Sequence, residues 1–554
     1  LKVAEFIVKF LEERGINLVF GLPGYNILDV YDVLRTSSIE HLLVKHENAA
    51  AVMADVYGRL TGKPGICITT AGPGATNAVT GIAGALAASS PLIHLAGHCS
   101  SKERIQPYHG VDDWFFLEKV FSSVTKWSRT VVDPSEVPKV IAKAFEVASS
   151  GRPGPVHVSL PMDILGEELT GEIRFGEIGS GRGGVVKLVN EFIDLIPRTE
   201  KPAIIVGQGV LRAFCWDEVA KLAEKIRAPI FFTRWSRSAI PFDHPLNVGY
   251  FVGLMFRRRS HPLVDELFNE SDLVLTFGVE EGSRAQIESI VDGKPVFHVF
   301  QGDGDGFIKI TERSVQLNVG SLKLALKALL DLLPRKVKSS WIDVESRISR
   351  IKREIESELE KLAEENSDTK PIHPAHVLRC VRELLDRDAI VACDIGSNFV
   401  WTEYYYRVRT PNSLLSPCRY GSMGFSLPAA IAAKKVFGDR QVIAIAGDGG
   451  MLMMMGELST LAEHNLPIPV IVLNDSKYGI LWRIQQRWYG GRSFAVDIAS
   501  PNFADCARAF GIKGLRVEDP RDVYSAIEEA LSGSSPVVVD ILTGHHYEYY
   551  KYRL

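Results

Sequence analysis

Along the chain, short apolar runs rich in Val, Ile and Leu alternate with longer helical stretches, and most of the runs end in glycine, proline or a small polar residue. Between residue 1 and about residue 165, LVFGLPG, HLLVKHE, GICITTAGPG, PLIHLAG and PVHVSLP read as strand-to-loop junctions separated by alanine-rich helices. Near-continuous apolar runs suit strands covered on both faces, which is the habit of parallel sheets with helical crossovers. The same rhythm returns in PAIIVGQG, APIFFT, DLVLTFG and PVFHVF, and again beyond residue 371. The expected fold class is α/β, with three doubly wound parallel-sheet domains at 1–168, 186–334 and 371–544. A Gly-rich polar stretch, EELTGEIRFGEIGSGRGG, reads as the first linker. Residues 335–370, with ESRISRIKREIESELEKLAEEN, read as a helical linker whose charges mark a solvated connecting helix. The tail 545–554, HHYEYYKYRL, is aromatic and basic, either a disordered end or a flap over a site.

Two junctions in the third block carry candidate chemistry. QVIAIA ends in Gly447-Asp448-Gly449-Gly450, a helical stretch follows, and a second apolar run ends in Asn474-Asp475. Parallel strands joined by one crossover helix bring both ends to the same sheet edge, where open α/β sheets bind ligands. Asp448 and Asp475 therefore converge. Two carboxylates suit a hard cation such as Mg²⁺, which is held by one or two carboxylates plus phosphate oxygens. The glycines let phosphate approach backbone N–H groups at a helix start.

Composition narrows the classes. With 554 residues the chain exceeds one hydrophobic core. A formal net charge of −4 gives no electrostatic case for nucleic acid or an anionic membrane. Seven scattered cysteines without a CxxC pair argue against a disulfide framework or structural zinc and suit a reducing, cytoplasmic setting. No run approaches the roughly 20 apolar residues of a membrane span, and the charged amphipathic N-terminus does not read as a signal peptide.

Six stretches, in order, carry a family resemblance: VFGLPG (19–24), KHENAA (45–50), TTAGPGATN (69–77), SGRPGPVHVSLPMD (150–163), YGSMGFSLPAAIAA (420–433) and GDGG…VLND (447–475). Together they resemble the thiamine-diphosphate-dependent enzymes, in the acetolactate synthase large-subunit-like branch. The resemblance makes the three blocks a pyrimidine-binding, a central and a diphosphate-binding domain. It implies a homodimer or homotetramer with the cofactor divided between subunits. Glu47 would share a proton with N1′ of the aminopyrimidine, a task for a positioned carboxylate. Met423 would support the bent cofactor, and Gly421 would offer its carbonyl to the aminopyrimidine. Gly396, Ser397 and Asn398, with Gly447, Gly449 and Gly450, would hold the diphosphate. Asp448, Asp475 and the Lys477 backbone carbonyl would hold Mg²⁺, with aspartate at 475 where the family usually has asparagine.

For the substrate pocket the resemblance points to Gly24, Tyr108, Ile480 and Ile484, walled further by Leu481, and to His109 as either a proton relay or an ordinary loop histidine. His46, His94 and His98 read as structural. Acetolactate synthases typically carry Phe-Gln-Glu where this chain has Tyr108-His109-Gly110, and those favouring 2-ketobutyrate carry tryptophan at the position of Ile484. Flavin-containing relatives show a Phe-Asp-Asp-Arg-like stretch where this chain has Glu280-Glu281-Gly282-Ser283-Arg284, which makes FAD doubtful. Phe256-Arg257-Arg258-Arg259 reads as a solvated basic turn or a nucleotide phosphate site. The implied reaction is decarboxylation of a 2-oxo acid, pyruvate first, with carboligation to a second carbonyl. A 2-oxo acid or acyl-CoA decarboxylase or lyase, and a non-catalytic cofactor-binding scaffold, stand as alternatives.

Overall fold

In the computed structural model the described residues are 1–102, 108–169, 192, 196, 199–249, 261–280, 284–291, 293–302, 314–333 and 339–546. The apolar runs form the strands of three parallel sheets. The first holds β1 (Leu18–Gly21), β2 (Glu40–Leu43), β3 (Gly65–Thr69), β4 (Leu92–His98), β5 (Trp127–Thr130) and β6 (Pro155–Pro161), in the order β2-β1-β3-β4-β6-β5. The central sheet holds β7 (Pro202–Val206), β8 (Ile230–Phe232), β9 (Leu273–Phe277), β10 (Val296–Phe300) and β11 (Val315–Asn318), in the order β11-β10-β9-β7-β8. The third holds β12 (Ile390–Cys393), β13 (Leu414–Leu415), β14 (Val442–Gly447), β15 (Pro469–Asn474), β16 (Lys513–Val517) and β17 (Val537–Leu542), in the order β13-β12-β14-β15-β17-β16. Renumbered from its own first strand, the third order equals the first. In both, strand order reverses between the first and third strands, the switch point that leaves a crevice at the carboxyl ends.

The first and third domains share a core. The helix Glu47–Thr61, capped by His46 and stopped at Gly62 with φ 74°, is buried almost throughout its length. Its alanines allow close approach to the helix Ser426–Val436, equally rich in alanine, and both belong to one apolar cluster with β14 and β15. Arg59 pins this contact. Its guanidinium pairs with Asp55, donates to the Ser416 carbonyl at 2.6 Å, and lies 5.2 Å from the centre of the Phe425 ring. A buried guanidinium needs such partners, because an unpaired buried charge costs several kcal/mol.

The connector differs from its sequence reading. Its helix, Val344–Glu365, buries the stripe Val344, Ile348, Ile351, Ile355, Leu359 and Ala363. Its charges also do more than face water: Glu356 and Glu360 receive Arg382, and Glu360 receives Arg379, from the helix Pro374–Leu384. Among the described residues no helix is long and apolar enough to cross a membrane. The first linker beyond Leu169, the arginine run 256–259, Glu281 to Ser283 and the tail from residue 547 fall outside the described residues.

Candidate functional site

At the switch point of the third sheet, the exits of β12, β14 and β15 each run into a helix: Ser397–Tyr405, Asp448–Met454 and, after a short turn, Gly479–Trp488. Their first turns enclose a cavity of about 260 Å³. Its lining includes Gly396, Ser397, Asn398, Gly421, Met423, Gly447, Asp448, Gly449, Gly450, Asp475, Lys477 and Ile480. Three helix starts facing one space bring backbone N–H groups and the positive ends of their dipoles to it, an anion-binding arrangement. Gly396 has φ 132°, a conformation open to glycine, and lets the chain turn from β12 into its helix. A Cβ at Gly421 would meet nothing closer than 3.9 Å, so that position borders open space. Gly449, by contrast, is squeezed between Tyr478 and Met423, and a Cβ there would come within 2.7 Å of the tyrosine ring.

Asp448 opens its helix and is 2% exposed. Burial raises its pKa, opposed by hydrogen bonds from the Ser500 hydroxyl at 2.7 Å, from Gly449 N–H at 2.8 Å and from the Ser476 and Lys477 backbone. The turn after β15 therefore wraps the Asp448 carboxylate and sets Asp475 beside it. Asp475 Oδ1 accepts Lys477 N–H at 3.2 Å, and its carbonyl meets His545 Nε2 at 2.9 Å. The Lys477 ammonium pairs with exposed Asp497. Asn474 turns away from the cavity and donates to buried Asp540 at 3.0 Å. Among the described residues no cluster of three or more His, Cys, Asp and Glu side chains could hold a metal unaided. A pair of carboxylates beside a phosphate-sized cradle fits Mg²⁺, which takes further oxygens from phosphate and water. The donor set, the open glycine and the three helix starts thus fit thiamine diphosphate with its metal.

Asp394, at the exit of β12, braces this edge and has no place among the sequence-predicted site residues. Its oxygens accept the N–H groups of Gly424 and Phe425, each at 3.1 Å, which fixes the loop carrying Gly421 and Met423. Burial pushes its carboxyl up to about 6 against those hydrogen bonds. The same carboxylate fills the space a Cβ at Gly450 would need, since Oδ2 lies 2.4 Å from that point. Two further contributors have no reading in the sequence: Tyr478 covers Gly449 and Ser500 holds Asp448. His546, at the start of the tail expected as a disordered end or a flap, lines the cavity. Asp394 stands two residues before Gly396, which the resemblance names; Ser500, far along the chain, has no local signal.

Glu47 lies elsewhere. It opens the helix after β2 in the first domain, is 6% exposed, and is not among the residues lining the cavity. Asn77, the last residue of TTAGPGATN, donates to its Oε2 at 3.0 Å. Gly74 leaves room for it, a Cβ there falling 3.2 Å from Oε1. His109, with φ 61°, rests its backbone on Gly72, so the structure brings it to the Gly72–Gly74 turn that flanks Glu47; Tyr108 beside it is mostly exposed. Gln106 and Pro107, earlier in that loop, lie outside the described residues. Gly24 abuts Thr70 of the same turn. Ile480 and Leu481 line the cavity, whereas Ile484, one turn on, does not. The histidines read as structural are so placed: His46 caps its helix, and His94 and His98 are buried in the first sheet.

Comparison with known proteins gives the family. Residues 1–114 match the N-terminal thiamine pyrophosphate (TPP) binding domain of thiamine pyrophosphate enzymes, 189–302 the central domain and 394–541 the C-terminal TPP binding domain. A probable acetolactate synthase large subunit of Methanocaldococcus jannaschii is 32% identical, over 98% of this chain and 92% of its own. The acetolactate synthase isozyme 1 large subunit of Escherichia coli is 30% identical over 97% and 93%. The chloroplastic acetolactate synthase of Arabidopsis thaliana is 30% identical over 98% and 82%. With three matched domains in the order of its three sheets and relatives aligned nearly end to end, this chain belongs to the thiamine pyrophosphate enzymes, and is a thiamine-diphosphate-dependent enzyme of the acetolactate synthase large-subunit type.

Proposed function

We propose that the chain binds thiamine diphosphate with Mg²⁺ in the third-domain cavity, decarboxylates a 2-oxo acid, pyruvate first, and joins the remaining two-carbon unit to a second carbonyl. The observation that carries this reading is the convergence of Asp448, Asp475 and three helix starts on one cavity. Asp448, Asp475 and the Lys477 carbonyl would hold the metal. Ser397, Asn398 and the backbone of Gly447 to Gly450 would hold the diphosphate. When bound, thiamine diphosphate supplies an acidic carbon and an electron sink for the departing carboxylate. The protein positions the reactants and manages protons. Met423, leaning over Gly449, would shape the cofactor's fold, and the Gly421 carbonyl would accept the aminopyrimidine N–H. Glu47, oriented by Asn77, would hold and return the proton at N1′.

Glu47 does not line the cavity of its own chain, and in this reading the complete site takes the first domain of a second copy. This supports a homodimer or a homotetramer with intersubunit active sites. Gly24, Tyr108 and His109 would then approach the cavity with Glu47, opposite Ile480 and Leu481, and together they would wall the substrate, with Ile484 one turn beyond the lining. His109 beside the Gly72–Gly74 turn also supports a second reading, in which a protonated product leaves as a free aldehyde. Purified protein supplied with thiamine diphosphate, Mg²⁺ and pyruvate tests both. Acetolactate as the main product supports the carboligase, acetaldehyde supports the decarboxylase, and no pyruvate consumption overturns the pyruvate assignment. An absorbance spectrum of the purified protein decides FAD.

A further inference from the structure

Glu457 lies on the third domain, yet its carboxylate reaches into the first. It opens the helix Glu457–Glu463, which follows the Asp448–Met454 helix after two residues. Its Oε1 accepts the backbone N–H of Lys45 at 2.8 Å and of His46 at 3.1 Å. Its Oε2 accepts the Thr460 hydroxyl at 2.8 Å. The residue is 1% exposed, so its carboxylate depends on these protein partners. Lys45 and His46 are the last two of the three residues that lead from β2 into Glu47. Their N–H groups come before the helical ladder begins, and Glu457 is the acceptor that holds them. The Lys45 ammonium is held by Glu463 of the same third-domain helix at 2.7 Å, and His46 Nδ1 accepts Asn48 N–H at 3.1 Å. The entry to Glu47 is thus fastened on its upstream side by the helix pair that begins at the metal-loop aspartate, and on its side-chain end by Asn77.

We propose that Glu457 is a positioning residue for Glu47: it fixes the backbone from which the proton-handling carboxylate projects. The proposal rests on the reading of Glu47 given above. Reactive groups displaced by about 1 Å lose on the order of a hundredfold in rate, and loss of Glu457 frees that backbone while leaving every residue of the cavity in place.

The test uses the full-length protein with thiamine diphosphate and Mg²⁺, and follows deuterium exchange at the cofactor C2 position by quenched NMR. Glu457→Ala is expected to slow that exchange about tenfold to a hundredfold and to lower kcat in parallel, with cofactor affinity by tryptophan fluorescence and the KM for the 2-oxo acid within about threefold of wild type. Amide deuterium exchange of residues 44–47 in the cofactor-free protein should accelerate. Glu457→Gln should restore all three readouts. Its amide oxygen accepts both N–H groups, and its NH₂ donates to Thr460, whose hydroxyl also donates to the Leu43 carbonyl at 3.3 Å. Wild-type C2 exchange in Glu457→Ala, or equal slowing in Glu457→Gln, overturns the proposal. Where Glu457→Ala does not fold, Glu457→Asp, one methylene short, must show slowed exchange at wild-type cofactor affinity, and unaltered exchange there overturns it equally. Glu47→Gln measured in parallel separates the two levels: wild-type exchange in that variant removes the reading of Glu47 itself.

Discussion

The first and third domains wind their sheets in the same strand order, and the third carries an open cavity at its switch point. In the third, the exits of the strands run into helices whose first turns stand around empty space, and Gly421 and Gly447 border it. In the first, the corresponding exits close on one another. Gly24 is pressed against Thr70, and Gly72 against the His109 backbone, each so tightly that a Cβ would fall within about 2.5 Å of a neighbour. The same residue type at the same sheet edge lets loops touch in one domain and leaves room for a ligand in the other. Topology supplies the edge; the length and contacts of the exits decide whether the edge binds or presents a side chain. The first domain presents Glu47.

That division predicts different failures. Asp448→Ala should have the largest effect, because it removes the buried carboxylate around which the Asp475 turn is wrapped. Calorimetric titration with thiamine diphosphate and Mg²⁺ should show cofactor binding weakened by two orders of magnitude or more, about 3 kcal/mol, and a chelator should reproduce the loss in wild type. Retained binding would mean that the cavity is not the diphosphate site. Glu47→Gln should divide the other way: cofactor affinity unchanged, turnover down by about 10²–10⁴-fold. If both variants lose binding alike, the contrast between the domains collapses.

A smaller difference lies in the cores. The first sheet buries a polar chain: His94 Nε2 meets Thr69 at 2.9 Å, His94 Nδ1 meets His157 Nδ1 at 2.9 Å, and His157 Nε2 meets Ser159 at 2.7 Å. No strand of the third sheet carries a histidine. Burial drives the His94 pKa down to about 3, and burial together with its neighbour's charge drives that of His157 well below the usual value. These groups stay neutral in the fold and take up protons on unfolding. Their contribution is therefore intact above about pH 6.5 and is lost as pH falls toward 3, with a slope of up to about 1.4 kcal/mol per pH unit for each. Hydrogen exchange between pH 7 and 4 should show amides of β3, β4 and β6 losing protection before those of β14, β15 and β17. Simultaneous loss would place the acid sensitivity elsewhere.

The legible part of the molecule is the part with short-range signals. Apolar runs ending in glycine or small polar residues gave the parallel α/β class of all three sheets, the pairing of strand end with helix start brought Asp448 and Asp475 to one cavity, and the family resemblance added Gly396 and Asn398. What escaped reading depends on long-range contact. Asp394 acts on Gly424 and Gly450, Ser500 on Asp448, and Glu457 on Lys45, none of which follows from local pattern. The connecting helix is present as expected, with its charges outward, but its buried stripe is not legible: the charged residues outnumber it, and a charged surface says nothing of the narrow face beneath it.

Lys477 provides the smallest expected effect and the finest distinction. The residue lines the cavity, but its ammonium leaves it to pair with Asp497, which is 76% exposed, and lies 5.9 Å from the centre of the Trp482 ring. Its contribution to the site passes through the backbone, where its N–H serves Asp475 and Asp448. An ion pair with an exposed partner contributes less than about 1 kcal/mol, and methionine keeps the aliphatic stem that packs on Trp482. Lys477→Met should therefore leave Mg²⁺ dependence and turnover within about twofold of wild type and stability within about 1 kcal/mol by urea titration. A tenfold or greater loss of cofactor affinity would show instead that the ammonium swings to the diphosphate when it binds. The third domain would then complete its anion site with a mobile side chain, and the contrast with the closed edge of the first would rest on more than the shape of its loops.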